Sequence, residues 1–317
     1  MTGFLLRRLA QAVIVIFFVM LLMFLLIHVI PGGEARAVLG PRAQPYQIAR
    51  FNRENGLDLP LWDQFFHYLW NLAHFQLGRS QSYNQPVTQL IGQYLPKTLV
   101  LVGIATLFAL AVAVPLGIYQ VVRRYKPEDY AITGLSFILY AMPAFLLGTL
   151  LILWFAIYLP WFSVEGPQGS SVWDVITDPR ALVLPVLTLS AISIASFSRY
   201  MRSSMMETMT EDYIRTAKAK GAGSKRVLYR HALRNALIPI VTLVGLSLGL
   251  IVSGAVITES VFNYPGMGYL TVQAAYKDDV PLLLGITFVI TIATIAGNFI
   301  ADILYAVVDP RIRYARS

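Results

Sequence analysis

Six stretches of this chain contain no Asp, Glu, Lys or Arg, and each is long enough to cross a lipid bilayer. They are residues 9–30, 98–122, 131–164, 181–198, 235–258 and 280–301. A helix needs roughly 17–25 apolar residues to span a hydrocarbon core of about 30 Å. No water enters that core, so backbone polar groups must bond within the segment, and each run is expected to be a helix. The third run has 34 residues, too few for two spans and a turn, and reads as one helix ending near Pro160. The expected fold is all-α: a single polytopic membrane domain over 1–317 with six transmembrane helices. These fall at about 9–30, 98–122, 131–160, 181–199, 237–258 and 280–305, with an external segment 31–96 and a polar loop 200–236. Charged residues make up 13% of the chain against 56% hydrophobic, where a soluble domain carries about 25% charge. Cysteine is absent, which excludes disulfides, thiolate metal sites and a cysteine nucleophile. The net charge of +8 formally admits nucleic acid, but its placement points elsewhere.

That placement sets the orientation. Seventeen Lys and Arg fall on the side of the N-terminus, the 123–129 connection, the 199–235 loop and the tail, against seven on the other side, with Lys97 at a boundary. By the positive-inside rule both termini are expected in the cytoplasm. Arg7 and Arg8 before the first run also describe a signal peptide, but 22 apolar residues exceed the usual h-region of roughly 7–15, so a retained helix is expected. In the external segment, Leu61 to Phe75 is dense in aromatic residues. It reads either as a helix lying at the outer leaflet or capping the bundle, or as contact with an external partner. His67 and His74 lie in it without neighbouring ligands at a defined spacing, so no metal site is expected.

Pathway candidates come from polar or helix-breaking residues inside apolar runs. Pro143 removes a backbone hydrogen bond and can kink the third span, and the Tyr140 phenol needs a polar partner in hydrocarbon. Ser190, Ser193 and Ser196 recur every three residues on one face of the fourth span, suiting either close helix packing or a hydrated path. Ser247 sits among the glycines Gly245 and Gly249 of the fifth. Glu259, at its outer end, either lines the pathway or holds the Pro265-Gly266 turn. Asp302 in the sixth span should face protein or water, and pairing with a loop arginine is the expectation.

The 199–235 loop holds nine basic and three acidic residues, net +6. Within it Lys225–Ala236 reads as an amphipathic helix. Arg226, Arg230 and Arg234 form a cationic stripe, and Leu228, Tyr229, Ala232, Leu233 and Ala236 fall opposite. Such a helix can rest on anionic lipid or enter a groove of a soluble protein. Gly221-Ala222-Gly223 supplies a turn before it. The Gly221–Lys225 stretch fails the spacing of a phosphate loop and follows no strand, so ATP binding by this chain is not expected, and no catalytic residue is assigned.

Glu211-Asp212-Tyr213-Ile214-Arg215-Thr216-Ala217-Lys218-Ala219-Lys220-Gly221, then nine residues, then His231-Ala232-Leu233-Arg234-Asn235-Ala236-Leu237-Ile238-Pro239, resembles the cytoplasmic EAA loop of dipeptide/oligopeptide ABC-importer permeases. Arg215 and Thr216 stand where Glu and Ala are usual in the general consensus, while Ala217 and Gly221 match, and the peptide/nickel subfamily has this variant. Thr258-Glu259-Ser260-Val261-Phe262-Asn263-Tyr264-Pro265-Gly266-Met267-Gly268 and Asp309-Pro310-Arg311-Ile312-Arg313 are similar to other segments of the subfamily. The resemblance covers almost the whole chain and is closest to the B-type permease subunit. It implies a type I ABC-importer transmembrane domain in the prokaryotic plasma membrane. It implies as partners a homologous second permease, two cytosolic ABC ATPase subunits and an extracytoplasmic substrate-binding protein. ATP and magnesium then belong to the ATPases, with no cofactor on this chain. Coupling to the ATPases is expected from Glu211, Asp212, Tyr213, Arg215, Thr216, Ala217, Lys218, Ala219, Lys220, Gly221, Arg226, Arg230, His231, Arg234 and Asn235. The helix after Gly221 is expected to be a rigid coupling element. An ion-coupled secondary transporter or channel is the competing class. It should show intramembrane charges or an inverted repeat, and neither is clear in the sequence.

Overall fold

The computed structural model describes residues 2–29, 35–36, 39–40, 42–54, 56–253 and 255–308, with side chains undescribed at 2–7, 27, 246–253 and 300–308. Among the described residues the chain is helical, with one isolated bridge between Arg79 and Pro86 and no strand. The long helices are α1 (Thr2–Val29), α4 (Val87–Val122), α8 (Pro179–Thr208) and α14 (Val280–Val308). Each contains a window long and apolar enough to cross a membrane. A bent pair, α5 (Pro127–Ala141) and α6 (Ala144–Ile152), which continues as a π-helical turn to Tyr158, makes a fifth if counted as one span. The run expected at 237–258 holds α11 (Ile238–Ser253), 16 residues long, or about 24 Å, and this helix is not among those long enough to span by themselves. After Ala255 comes the short α12 (Val256–Val261), and Gly254 lies outside the described residues.

Two expectations are revised here. The single third helix ending near Pro160 is instead two segments meeting at 103° around Met142-Pro143. Pro143 has no N–H to continue the ladder, and it caps α6 at φ −58°, ψ 135°. The fourth helix does not stop at 199 but runs on to Thr208, so Arg199 and Arg202 are helical residues.

α4 and α8 form the spine. Ala105, Ala109, Ala113 and Gly117 recur every fourth residue of α4, and all four are buried. Residues four apart lie on one face, and small side chains there let two backbones approach in lipid. At Gly117 a Cβ would stand 2.7 Å from the Met201 Cβ and 2.9 Å from the Ser198 carbonyl, so only glycine fits that crossing. α4 begins 11 residues before the apolar run it contains. That extra length is the base for the 31–96 segment, where Val87, Leu90 and Ile91 join Met20, Leu72, Leu77, Leu282 and Ile286 in one core. There α2 (Pro45–Glu54) precedes α3 (Leu61–Ala73). α3 buries Phe65 against Phe17 and Phe24 of α1, at ring separations of 5.6 and 5.2 Å, and leaves Trp62, Phe66 and Trp70 exposed. The same helix therefore caps the bundle with one face and presents an aromatic stripe with the other.

Candidate functional site

The polar loop folds into two helices. The first, α9 (Asp212–Ala219), has Asp212 in its first turn and Lys218 in its last, both matching the helix dipole. Its end is a Schellman turn. The Gly221 N–H donates to the Lys218 carbonyl (2.9 Å) and the Ala222 N–H to that of Ala217 (3.1 Å). Gly221 adopts φ +81°, with nothing within 4 Å of where a Cβ would sit. Glycine is needed there for its backbone conformation and not for space. This accounts for the Ala217…Gly221 spacing that carries the sequence resemblance.

α9 projects outward. Glu211, Asp212, Tyr213, Arg215, Thr216, Lys218, Ala219, Lys220 and Gly221 are exposed, Ala217 is half-buried, and Ile214 is completely buried. Ile214 shares a buried cluster with Ile118, Met201, Met205, Val227, Ala232, Ala236 and Ile240, and α9 lies chiefly against the Val227–Ala232 turn, so this side chain ties it to a core that reaches the ends of α4, α8 and α11. The Asn235 Nδ2 donates to the Tyr213 hydroxyl at 2.7 Å, tying α9 to the second helix of the loop.

That second helix, α10, covers residues 224–236 and is not a straight rod. Its middle, Val227–Ala232, is π-helical. A π-turn pairs residues five apart, so the buried set is Val227, Ala232 and Ala236, and Tyr229 is exposed. A 3.6-residue period places Tyr229 on the apolar side, and the wider turn rotates it out. Arg226, Arg230, Arg234 and Asn235 are exposed as a polar face, and His231 is half-buried. The helix expected after Gly221 is present over 224–236, with a widened turn at Val227–Ala232, and lies behind the short exposed α9.

Not all of the basic residues are free for a partner. Arg202 is held by the buried Asp129 through Nε–Oδ1 and Nη2–Oδ2 contacts, each 2.8 Å, with Gln120 and the Tyr125 N–H also donating to that carboxylate. Arg199 points away from the loop. Its Nε donates to the Ala195 carbonyl at 3.2 Å, and its guanidinium lies 4.4 Å from the Tyr140 ring and 5.4 Å from Phe137.

The pathway candidates are dispersed. Tyr140 and Pro143 flank the 103° bend, and both are exposed. Ser190 is buried, and its hydroxyl donates to Leu187 in its own helix at 3.2 Å; half-buried Ser193 does the same with Leu189 at 3.5 Å. The side chains of Ser247 and Asp302 lie outside the described residues, as does the 309–313 segment.

Glu259 is fully buried. Its Oε1 accepts from Thr98 Oγ1 (2.8 Å), and its Oε2 from the N–H groups of Gly268 (2.7 Å) and Tyr269 (3.1 Å). Thr98 accepts in turn from the Met267 N–H at 2.7 Å. A Cβ at Gly266 would overlap the Glu259 carboxyl, and one at Gly268 would stand 2.6 Å from the Val256 Cα. Of the two roles open for Glu259, this geometry is that of a brace for the Pro265–Gly268 turn. The Tyr264 hydroxyl extends the network by donating to the Lys97 carbonyl (2.7 Å), while Lys97 Nζ donates to that of Gly169 (2.8 Å). Sequence reasoning misses Lys97 and Thr98 because a polar pair at the edge of an apolar run gives no hint of partners more than 70 residues away. Beside it, α7 (Val172–Thr177) starts with a Ser171–Asp174 capping box. Hydrogen bonds from Ser171 hold the Asp174 carboxyl below its ordinary pKa, with help from the charge of Lys97.

An apolar helical bundle with membrane-length helices and a projecting cationic segment describes a membrane protein with a polar docking surface. Its fold is that of an ABC-transporter membrane domain. The inward-facing structure of the MetNI methionine ABC transporter superposes with a TM-score of 0.57 at 17% identity, covering 71% of this chain and 98% of that one. The chain belongs to the family described as binding-protein-dependent transport system inner membrane component, which matches residues 113–314, and the family's N-terminal module matches residues 1–102. It is 35% identical over 316 residues to the oligopeptide transport system permease protein AppB of Bacillus subtilis, covering 99% of this chain and 100% of that one. It is 34% identical over 339 residues to the dipeptide transport system permease protein DppB of Escherichia coli K12, with both chains covered completely.

Proposed function

We propose that this chain is the permease subunit of an ATP-driven importer of di- or oligopeptides and forms half of the translocation pathway. The observation that carries the reading is α9, exposed over most of its length and anchored by one fully buried side chain, Ile214, with the Asn235–Tyr213 hydrogen bond beside it, in a chain that matches peptide permeases from end to end. In this reading α11 is the fifth of six spans, both termini and the 200–236 loop are cytosolic, and the 31–96 segment faces outward. A homologous second permease completes the pathway, an external binding protein delivers peptide, and two cytosolic ATPases, which hold ATP and magnesium, each receive one coupling helix.

The exposed residues of α9 and α10, from Glu211 to Gly221 and Arg226, Arg230, Arg234 and Asn235, meet the ATPase together with half-buried His231. Closure of the ATPase dimer shifts α9. Ile214 and Tyr213 pass that shift to α8, α10 and α11, and the bend at Pro143 and the polar face of α8 respond. This is a two-state element biased by a partner, as coupling between distant sites requires.

The test is uptake into proteoliposomes containing the assembled complex. Gly221→Asp should insert and assemble but lose most ATP-driven uptake, because an Asp at φ +81° strains the turn and adds an acid to a cationic surface. Gly221→Asn, a residue that adopts the left-handed region more readily, should retain more. Undiminished uptake by Gly221→Asp would count against the coupling role. Uptake by this chain without ATPase subunits or ATP would favour the ion-coupled class instead.

A further inference from the structure

Arg199 is a cation on a membrane helix with no carboxylate in ion-pair range among the described residues. Its position is unusual in one respect. Arg202, one turn later on α8, pairs with Asp129 at the start of α5. Arg199 turns the other way, toward Ala195, and lays its guanidinium on the rings of Tyr140 and Phe137. Arg199 lies three residues before Arg202 on α8, about 4.5 Å along the axis, and its guanidinium meets rings 8 and 11 residues beyond Asp129 along α5. A lipid-facing arginine extends toward the nearer headgroup layer. This one reaches away from the cytosolic layer and into the membrane.

A charge at that depth faces protein or a water-filled cavity. The two rings satisfy its face, and Nε is bonded to a carbonyl. The outer guanidinium nitrogens form a fork suited to a carboxylate. Tyr140 and Phe137 are themselves exposed, and Arg199 is half-buried. The group therefore opens outward beside the bend at Met142-Pro143.

We infer that Arg199, carried on Tyr140 and Phe137, is a site in the translocation pathway that binds a carboxylate of the transported peptide. The inference rests on the permease function and orientation proposed above. A phospholipid headgroup offers a similar anion, and the experiment separates the two sources.

The chain has no cysteine, so Arg199→Cys introduces the single thiol of this subunit, and the wild-type complex treated with the same reagents is the baseline. In the assembled complex, R199C should lower peptide uptake about tenfold, the loss of one charge-assisted contact. Water-soluble methanethiosulfonates should modify it. A trimethylammonium reagent should restore most of the uptake, and a sulfonate reagent should restore none. If R199C fails to assemble, Arg199→Lys and Arg199→Gln replace it, with Lys expected to retain more uptake than Gln. Unchanged uptake in R199C, equal effects of both reagents, or equal uptake by the Lys and Gln variants would overturn the inference. So would a thiol that resists both soluble reagents, whether a membrane-partitioning maleimide labels it, which places it in lipid, or leaves it unlabelled in a sealed interface. Wild-type complex that takes up no peptide would instead overturn the peptide reading itself, and this inference with it.

Discussion

Replacing Ile214 with Ala tests how α9 is held. The side chain is completely buried and is the only fully buried one in that eight-residue helix. Removing its outer carbons leaves a cavity among Met201, Met205, Val227 and Ala236, at a cost of about 2–5 kcal/mol for an Ile→Ala change in a packed core. An isolated helix of eight residues is not stable in water, so little else keeps α9 in place. At about 1.4 kcal/mol per decade, a loss of roughly 3 kcal/mol shifts the docked-to-undocked ratio about a hundredfold. Hydrogen exchange on the purified complex should show faster exchange across 212–220 with the core of α4 unchanged, and ATP-driven uptake should fall with it. Tyr213→Phe, which removes only the hydroxyl that accepts from Asn235, should cost about 0.5–1.5 kcal/mol, toward the low end because the bond is exposed. If Ile214→Ala leaves both exchange and uptake as in wild type, α9 is not seated by this residue and the transmission route is wrong.

The buried polar networks give two more expected outcomes. Glu259→Ala strands the Gly268 and Tyr269 N–H groups and the Thr98 hydroxyl, each worth about 1–3 kcal/mol when left unpaired. Glu259→Gln keeps an acceptor for the amides and gives Thr98 a donor, so thermal unfolding in detergent should rank wild type above Gln and Gln well above Ala; a Gln variant no better than Ala would refute the brace. Arg202→Ala leaves the Asp129 carboxylate buried and uncompensated, at about 3–5 kcal/mol, whereas an Arg202→Met, Asp129→Leu double variant should melt closer to wild type than either single change.

Much of the scaffold was legible in the sequence because a bilayer imposes length and charge rules on any chain that crosses it. The apolar windows of α1, α4, α8 and α14 fall on charge-free runs. The turn at Gly221 was legible too, since a glycine between two helical patterns has few other uses. Pro143 announced a break, but its 103° depends on what α5 and α6 pack against. The widened turn at Val227–Ala232 has no local signature, so a 3.6-residue period misplaces Tyr229. Arg202 looks like a loop charge in the sequence because Asp129 is 73 residues away, and Arg199 looks the same until the direction of its side chain is known. The four-residue spacing from Ala105 to Gly117 is readable as a packing face, yet only the partner helix shows why Gly117 cannot be alanine.

That crossing also sets a gear ratio. Gly117 meets Met201 where α4 and α8 cross, near one end of a helix that carries Thr98 nineteen residues away, about 28 Å along the axis. A tilt of about 5° pivoting at Gly117 would swing Thr98 by roughly 2.5 Å. That distance is comparable to the hydrogen bond from Thr98 to Glu259. If α4 turned there as a rigid rod, a small angular change beside Ile118 would become the making or breaking of a polar contact near its other end, and the seam buried along the same helix is what would have to slide for it to do so.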